Sequence, residues 1–293
     1  MALAGQSAQT RQPGKPAQPG EARQAEEARK PAPWHMVTGT VRSNRPAGSG
    51  YYRLIVHAKP VAAACRPGQF VMLRAPEWGA LVFSRPFDVY RSDPESGTVE
   101  ILFKLKGEGT RRLAALVEGE QVRVLGPLGR PVPLPDDGRG VILVARGAGV
   151  SPMVRIAQEC AARGVAARAL VSAARPDRLM GVDDLRALGV DVHVTTDDDG
   201  AAPAPAAVLG RWAKEGRWHG MFVCGSRRLA RAARWACREY GLSGYVFVEA
   251  TMACGFGICH GCAVPINDGG GSRPYALACV DGPALPIETA TIE

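Results

Sequence analysis

The sequence lacks any run of about 18 apolar residues, the length that a membrane-spanning helix requires. It also lacks an apolar stretch of the kind that marks a secretory signal, so an exported, disulfide-stabilised protein is not expected. Aromatic residues make up only 6% of the chain and do not interleave with basic residues, so the net charge of +8 does not indicate a nucleic-acid partner. These absences predict a cytoplasmic protein without a membrane or nucleic-acid partner.

The remaining composition is that of a globular protein with an appendage. Apolar residues account for 46% of the 293 positions, and this length allows two compact domains and a smaller one. Residues 1–33 are rich in Ala, Gln, Gly and Pro without apolar periodicity, which predicts a disordered tail. We expect three domains after this tail, at residues 34–135, 136–249 and 250–293.

Four cysteines near the C-terminal end, Cys254, Cys259, Cys262 and Cys279, carry the most specific pattern. Their C-x4-C-x2-C…C spacing is that of a plant-type [2Fe–2S] site. Glycines at 255, 257 and 261 allow positive φ angles and let backbone N–H groups approach sulfur. The pattern therefore predicts a one-electron redox centre.

Other uses of these cysteines are weaker alternatives. A structural zinc site usually has two close cysteine pairs, whereas here Cys279 stands alone. A Rieske centre needs two histidines in place of two cysteines, and we interpret His260 as a solvent-facing loop residue. The scattered Cys65, Cys160 and Cys237 are predicted to be small buried apolar residues.

Short alternating strands begin at Trp34. Alternation at Tyr52–Val56, Val99–Leu105 and Val122–Val124, with turn residues between, predicts about six strands, one helix near Thr110–Val117 and a small antiparallel barrel.

Two places in this barrel suit an anionic ligand. Arg85-Pro86 presents a rigid cation, and Gly107 to Thr110 form a glycine-rich turn before a helix, with Thr110 as its N-cap. An ordinary surface strand and a plain turn are the alternatives. Together the two places suggest a cofactor with a pyrophosphate.

Alternating strands and helices follow residue 138. The apolar run Val141–Ala145 is typical of a buried parallel strand, and Ser151 and Pro152 are predicted to begin the helix after it. Further strands are expected at Ala169–Ala173, Val190–Thr195, Met221–Cys224 and, as the last strand, Tyr245–Val248, with a helix at Arg228–Tyr240. This order predicts a doubly wound parallel sheet. The turn at Gly147–Gly149 and the strand end at Cys224-Gly225 lie where such sheets bind ligands, although the dinucleotide fingerprint is incomplete.

Barrel, nucleotide-binding sheet and cysteine loop, in this order, resemble the ferredoxin-reductase superfamily. More narrowly, the run from Val248 to Gly255, the run from Cys279 to Pro283 and the sequence Gly126-Pro127-Leu128-Gly129 resemble the electron-transfer subunits of class 1B dihydroorotate dehydrogenases. The resemblance implies a multidomain β plus α/β protein: an antiparallel FAD-binding β-barrel, a doubly wound NAD(P)-binding sheet and a small C-terminal [2Fe–2S] domain.

The resemblance also implies the site residues. The FAD residues would be Arg85, Pro86, Phe87, Asp88, Leu102, Phe103, Lys104, Gly109 and Thr110. The pyridine-nucleotide residues would be Gly147, Gly149, Pro152, Cys224 and Gly225. The cluster ligands would be Cys254, Cys259, Cys262 and Cys279, and no residue is expected to act as a catalytic acid or base on the substrate.

Three positions depart from the family pattern. Asp88 replaces Ser or Thr and would place negative charge beside the flavin. Arg146 replaces a glycine, and Ser226 replaces the proline after Cys-Gly. Arg175 and Arg178 either hold a 2′-phosphate or are solvated surface residues.

The implied function is electron transfer in pyrimidine biosynthesis. Because hydride carries two electrons and a [2Fe–2S] cluster accepts one, a flavin belongs between them. The resemblance implies a partner with FMN that oxidises dihydroorotate, in a heterotetramer of two copies of each chain, with electrons passing through the cluster and FAD to NAD⁺. The alternatives are the reductase subunit of a hydrogenase, sulfite reductase or ferredoxin:NADP⁺ oxidoreductase, and a zinc-stabilised module without redox activity.

Overall fold

The computed structural model describes residues 33–76, 79–198, 203–267 and 274–292. The predicted tail at residues 1–33 therefore lies outside the described residues, apart from Pro33. Within the described ranges, no helix combines the length and the apolar character needed to cross a bilayer.

The first part of the described chain is a curled, seven-stranded antiparallel sheet in the order β4-β3-β7-β1-β2-β6-β5. Its strands are β1 (His35–Gly48), β2 (Tyr51–His57), β3 (Phe70–Arg74), β4 (Arg85–Asp88), β5 (Arg91–Asp93), β6 (Thr98–Lys104) and β7 (Gln121–Leu128). Two short helices accompany them, α1 (Lys59–Ala64) and α2 (Glu108–Ala114).

Alternation along the strands explains the curl. In β6, Val99, Ile101 and Phe103 point into a core enclosed by the sheet, whereas Leu102 points outward and is buried against the next domain. One face of the sheet therefore closes on itself, and the other supports its neighbour.

The second part is a six-stranded sheet in the order β10-β9-β8-β11-β12-β15. Its strands are β8 (Gly140–Arg146), β9 (Ala167–Ala173), β10 (Asp191–Thr196), β11 (Trp218–Cys224), β12 (Ser243–Phe247) and β15 (Ala284–Pro286). Its helices are α3 (Val150–Arg163), α4 (Val182–Ala187), α5 (Pro205–Glu215) and α6 (Arg227–Tyr240). A two-stranded sheet, β13 (Ala263–Pro265) with β14 (Tyr275–Leu277), lies between β12 and β15 in the sequence.

The central strand β8 has both faces buried, which is why its sequence is continuously apolar. Val141 and Leu143 pack with α3 and α4, and Ile142 and Val144 pack with α5 and α6. The predicted doubly wound sheet and antiparallel barrel are thus both confirmed. The predicted burial of Cys65, Cys160 and Cys237 is also confirmed.

Two predicted helix starts are wrong. The helix after β8 begins at Val150, because a 3₁₀ turn at Gly147–Gly149 precedes it, so Ser151 is not its N-cap. The helix after β6 begins at Glu108 with Gly107 as N-cap, and Thr110 lies in the first turn. There the Thr110 hydroxyl accepts hydrogen bonds from the N–H groups of Lys106 and Gly107.

The prediction that the strand near residue 245 is the last one is also wrong. Residues 284–286 return to the sheet as β15 and pair antiparallel with β12. Sequence periodicity missed this strand because it has only three residues and two prolines lie at or beside it.

A partly buried ion-pair network joins the barrel to the second sheet. The Asp184 carboxylate of α4 accepts hydrogen bonds from the Tyr90 hydroxyl (2.7 Å), the Arg91 guanidinium (2.7 Å) and the Arg53 guanidinium (3.3 Å). Leu102 and Tyr51 of the barrel add apolar contacts to the same boundary. The two parts are therefore held by both charge and apolar burial.

Candidate functional site

The four predicted cluster ligands lie in one region as two pairs. Cys262 and Cys279 are buried with their sulfur atoms 3.1 Å apart. The thiols of Cys254 and Cys259 are in hydrogen-bond contact with each other, and Cys259 is exposed. Within the described ranges, no three His, Cys, Asp or Glu side chains converge on a point that one metal ion could occupy. Two thiol pairs suit a binuclear iron cluster better than one tetrahedral zinc ion.

Backbone N–H groups of the loop point at the sulfur atoms. Partial burial raises the pKa of the Cys254 thiol, but N–H groups of Cys259, Phe256 and Ile258 outweigh it and lower the pKa to about 6. Burial and the neighbouring Cys262 thiol raise the pKa of Cys279 to about 12. The loop therefore favours the thiolate, the form that binds metal, at Cys254, whereas burial favours the neutral thiol at Cys279.

Two glycines make this loop geometry possible. Gly255 has φ +85° and Gly257 has φ +92°, and a Cβ at Gly257 would lie 2.7 Å from Val280. Gly261 differs from this expectation, since its φ is not in the left-handed region; its N–H instead donates to the Cys259 sulfur at 3.5 Å. His260 is exposed as predicted.

The loop packs directly on the barrel. A Cβ at Gly255 would lie 2.8 Å from Met72 Cγ on β3, and Met72 pairs with Pro86 on β4. Phe70, Leu128, Cys262 and Cys279 share one apolar cluster with Met72. Only one strand therefore separates the cysteine loop from the predicted flavin strand.

The predicted flavin residues lie on β4, β6 and the start of α2. Arg85, Pro86, Phe87 and Asp88 form β4, and the Phe87 ring lies 5.7 Å from the Phe103 ring of β6. Leu102, Phe103 and Lys104 end β6, and Gly109 and Thr110 lie in the first turn of α2. The structure brings β4 and β6 together, but Leu102 and Phe103 are both buried, so their side chains serve packing.

The predicted nucleotide residues meet at the carboxyl edge of the second sheet. A Cβ at Gly149 would lie 2.5 Å from the Cys224 carbonyl oxygen, and one at Gly225 would overlap the Arg146 carbonyl oxygen. These turns therefore pack backbone to backbone, which glycine permits. Gly147 approaches the Tyr51 hydroxyl of the barrel, and Pro152 lies in the first turn of α3.

Two departures from the family pattern have structural roles. The Arg146 guanidinium reaches across β9, donates to the Ser172 hydroxyl at 2.8 Å and forms an ion pair with Asp197 at 2.5 Å. Ser226 is the N-cap of α6, and its side chain accepts a hydrogen bond from the Leu229 N–H. The bulk of Arg146 is thus directed away from the glycine turn.

Arg175 and Arg178, the arginines after the second strand of the sheet, are both exposed. The Arg175 guanidinium lies 3.2 Å from the Asp177 carboxylate, and both side chains are more than half exposed. The role of Arg175 and Arg178 in holding a 2′-phosphate stays a prediction.

The third departure, Asp88, is the last residue of β4 and is half-buried. Burial, and then the negative charge of Glu249, raise the pKa of Asp88 to about 7. The same burial and both carboxylates raise the pKa of the Cys224 thiol well above its ordinary value. Glu249 was not among the predicted site residues, although its place just after a parallel strand, at the edge that holds Cys224, is a signal that sequence reading offers.

Comparisons with known proteins agree with this geometry. Residues 249–290 match the model of the iron–sulfur cluster binding domain of dihydroorotate dehydrogenase B. The electron transfer subunit of dihydroorotate dehydrogenase B (NAD⁺) from Shouchella clausii is 30% identical over 239 residues, covering 80% of this chain and 90% of that protein. The subunit of the same name from Bacillus cereus strain Q1 is 29% identical over 251 residues, covering 84% and 95%.

A solved structure has the same fold. The NADH-dependent reduced ferredoxin–NADP oxidoreductase, studied for flavin-based electron bifurcation, superposes with a TM-score of 0.74 at 25% identity, covering 87% of this chain and 90% of its own. The predicted iron–sulfur domain, reductase fold and redox role are confirmed together. The chain therefore belongs to the family of electron transfer subunits of dihydroorotate dehydrogenase B.

Proposed function

We propose that this chain carries electrons from an FMN-containing dihydroorotate dehydrogenase catalytic subunit to NAD⁺, in cytoplasmic pyrimidine biosynthesis and in a heterotetramer of two copies of each chain. The observation that carries the proposal is the position of the paired cysteines, one strand away from β4. When bound, a [2Fe–2S] cluster supplies one-electron transfer and FAD supplies exchange between one-electron and hydride chemistry.

The chain's own residues hold and tune these groups. Cys254, Cys259, Cys262 and Cys279 would hold the cluster, and the loop N–H groups would stabilise its sulfur atoms. Arg85 and the first turn of α2 would hold FAD, with Arg85 supplying a charge-assisted contact to phosphate. The turns at Gly147–Gly149 and Cys224-Gly225 would receive the pyridine nucleotide.

An exposed apolar patch surrounds the cysteine loop. We define it as Trp34, Met36, Phe256 and Ile258, which are 51%, 66%, 37% and 76% exposed. The Trp34 and Phe256 rings stack with centroids 5.8 Å apart, so the two segments present one surface. Because apolar side chains of this size gain by leaving water, and Cys259 is exposed beside them, the patch supports docking of the redox partner here.

The test is to co-express the chain with a dihydroorotate dehydrogenase catalytic subunit and measure dihydroorotate:NAD⁺ activity of the purified pair. Activity that depends on both chains is expected. If the pair reduced NAD⁺ from another donor but not from dihydroorotate, the assignment to pyrimidine biosynthesis would be wrong and a different reductase complex would be favoured.

Ile258→Asp tests the docking face. Full burial of such a side chain is worth about 1.5–3 kcal/mol, so a charge there should weaken the complex by about tenfold to a hundredfold. Val117→Asp is the matched control, because Val117 is an apolar residue of similar exposure (62%) after α2, far along the barrel from Trp34. Analytical ultracentrifugation measures the affinity of each variant for the partner. Equal affinities of the two variants would show that the patch is not part of the interface.

A further inference from the structure

Three charged side chains from separate elements meet at the carboxyl edge of the second sheet. Arg146 ends β8, Asp197 follows β10 and Arg228 lies in the first turn of α6. The Arg146 guanidinium donates to both oxygens of the Asp197 carboxylate, at 3.3 and 2.5 Å, and the Arg228 guanidinium donates to the same carboxylate at 3.2 Å. Two guanidinium groups are therefore held around one carboxylate.

A dinucleotide bound at this edge has to pass these side chains. Its nicotinamide end must lie toward the barrel, which the turn at Gly147–Gly149 approaches through Tyr51. On the other side of the sheet, β12 leads into the segment before the cysteine loop, and Val248 donates a hydrogen bond to the Pro283 carbonyl at 2.9 Å. We therefore expect the adenosine end to run the opposite way, along the ends of β9 and β10, where the three charged side chains lie.

The residue type near the end of the second strand distinguishes the two pyridine nucleotides in sheets of this kind. A carboxylate there binds the adenosine ribose of NAD⁺, whereas an arginine accommodates the 2′-phosphate of NADP⁺. Here the second strand β9 ends at Ala173, and the chain continues with Ala174 and Arg175. The Arg146 guanidinium lies against the same strand, where it donates to the Ser172 hydroxyl at 2.8 Å. The end of β9 thus presents cations in the place of a carboxylate.

Asp197 is the carboxylate that would favour NAD⁺ instead. Its backbone N–H donates to the Ala173 carbonyl at 3.1 Å, so it adjoins the end of β9. Its two oxygens already accept three hydrogen bonds from Arg146 and Arg228, and a carboxylate offers about four acceptor positions. Asp197 therefore cannot accept hydrogen bonds from both ribose hydroxyls unless it releases a guanidinium.

We propose that Arg146 and Arg228 bind the 2′-phosphate of NADP⁺, so that this chain uses NADP⁺ as well as NAD⁺. This inference rests on the function proposed above and extends its acceptor. Without nucleotide, the Asp197 carboxylate occupies the two guanidinium groups. The 2′-phosphate displaces it, because a phosphate carries about two negative charges and three acceptor oxygens and is bound by arginine in a bidentate, charge-assisted manner.

Two features of this chain support the exchange. The Asp197 side chain is 43% exposed, so it can move into solvent when a phosphate takes its place. Arg146 stands where the family pattern has glycine, so this guanidinium is a departure of this chain from that pattern. The nicotinamide ring is the same in both nucleotides, and the redox step therefore stays that of the proposed function.

The first measurement is isothermal titration calorimetry of the purified holoprotein with NADP⁺ and with NAD⁺. We expect both to bind. Arg146→Gln should weaken NADP⁺ binding by about tenfold to a hundredfold, the scale of a charge-assisted contact, and should leave NAD⁺ binding unchanged. Arg228→Ala should weaken NADP⁺ binding by about two- to fivefold, because its side chain is 64% exposed.

Asp197→Asn tests the displacement, because it should change NADP⁺ affinity in the opposite direction. The uncharged amide leaves both guanidinium groups to the phosphate, so NADP⁺ should bind about two- to fivefold more tightly. Weaker NAD⁺ binding without a gain for NADP⁺ would identify Asp197 as the ribose acceptor and contradict the displacement. Arg139→Gln is the matched control: Arg139 pairs with Asp137 at 2.6 Å just before β8, at the opposite edge of the sheet, so both affinities should be unchanged.

The second measurement is ferricyanide reduction by the holoprotein with NADPH or NADH as donor. Arg146→Gln should raise KM for NADPH and leave kcat unchanged, whereas Arg146→Lys, which keeps the charge, should recover part of the loss.

Absence of NADP⁺ binding to the wild-type holoprotein, or a ratio of NADP⁺ to NAD⁺ affinity that Arg146→Gln leaves unchanged, would overturn the proposal. Neither measurement uses dihydroorotate or a partner subunit. Failure of the pathway assignment and failure of the phosphate site are therefore distinguishable.

Discussion

Asp184→Asn should destabilise the boundary between the barrel and the second sheet. The substitution removes the charge that receives hydrogen bonds from Tyr90, Arg91 and Arg53. A hydrogen bond to a charged group is worth about 1.5–3 kcal/mol, and the side chains of Arg91 and Arg53 are 32% and 37% exposed, which reduces their share. We expect a loss of about 2 kcal/mol, or about 4–8 °C in melting temperature.

Asp183→Asn is the matched control, because the Asp183 carboxylate is next to Asp184 in the chain, is fully exposed and lies 3.6 Å from the exposed Arg186. Differential scanning calorimetry of the holoprotein at low and at high salt measures both variants. The difference between the melting temperatures of the two variants should be smaller at high salt, because ions screen the partly exposed ion pairs of Asp184. Equal melting temperatures for the two variants would show that apolar burial alone holds the boundary.

Three further predictions concern pH and cofactor retention. Below its ordinary pKa of 3.8, Asp88 is protonated in both the folded and the unfolded chain. Between that pH and about 7 only the unfolded chain ionises at Asp88, so the free energy of unfolding should fall by up to about 4 kcal/mol as the pH rises. Asp88→Asn should flatten this decline, which denaturant titrations at several pH values measure. Gly257→Ala should lose the visible absorption of the cluster, because φ at this position is +92°. Gly261→Ala is the control and should retain the absorption, since a Cβ there would lie 3.6 Å from its nearest neighbour, the Cys259 sulfur. Equal absorption by the two variants would contradict the role given to the backbone. Arg85→Ala should weaken FAD retention by about tenfold to a hundredfold, as one charge-assisted contact implies, and unchanged flavin content after dialysis would remove Arg85 from the site.

The sequence predicted the elements whose patterns are long or chemically specific. The apolar run Val141–Ala145 identified the central parallel strand because burial on both faces excludes polar residues. The spacing of the four cysteines identified the cluster loop because few other sites need that arrangement. In both cases the local sequence alone constrains the structure.

Features that depend on distant residues escaped prediction. The strand at residues 284–286 exists only because β12 offers an edge to pair with, and its own three residues carry no strand pattern. Helix α3 begins at Val150, before the predicted N-cap Ser151, and follows a 3₁₀ turn at Gly147–Gly149. That turn packs against Gly225, which follows β11. The residue-level cofactor contacts and the domain limits remain predictions.

The surface that the cysteine loop covers could not be predicted from its motif. Gly255 lies against Met72 of the barrel, and Cys262 shares an apolar cluster with Phe70. Nothing in the spacing of cysteines and glycines reports which surface the loop will cover. Contact between modules is a tertiary property that a motif does not encode.

The return of β15 to the second sheet has a consequence for biogenesis. All four predicted cluster ligands precede residues 284–286 in the order of synthesis, so a chain that ended just before residue 284 would keep every one of them and leave the edge of β12 without β15. An uncovered strand edge favours self-association. Premature termination at this point would therefore give a chain that carries the cysteines and is prone to aggregate through β12.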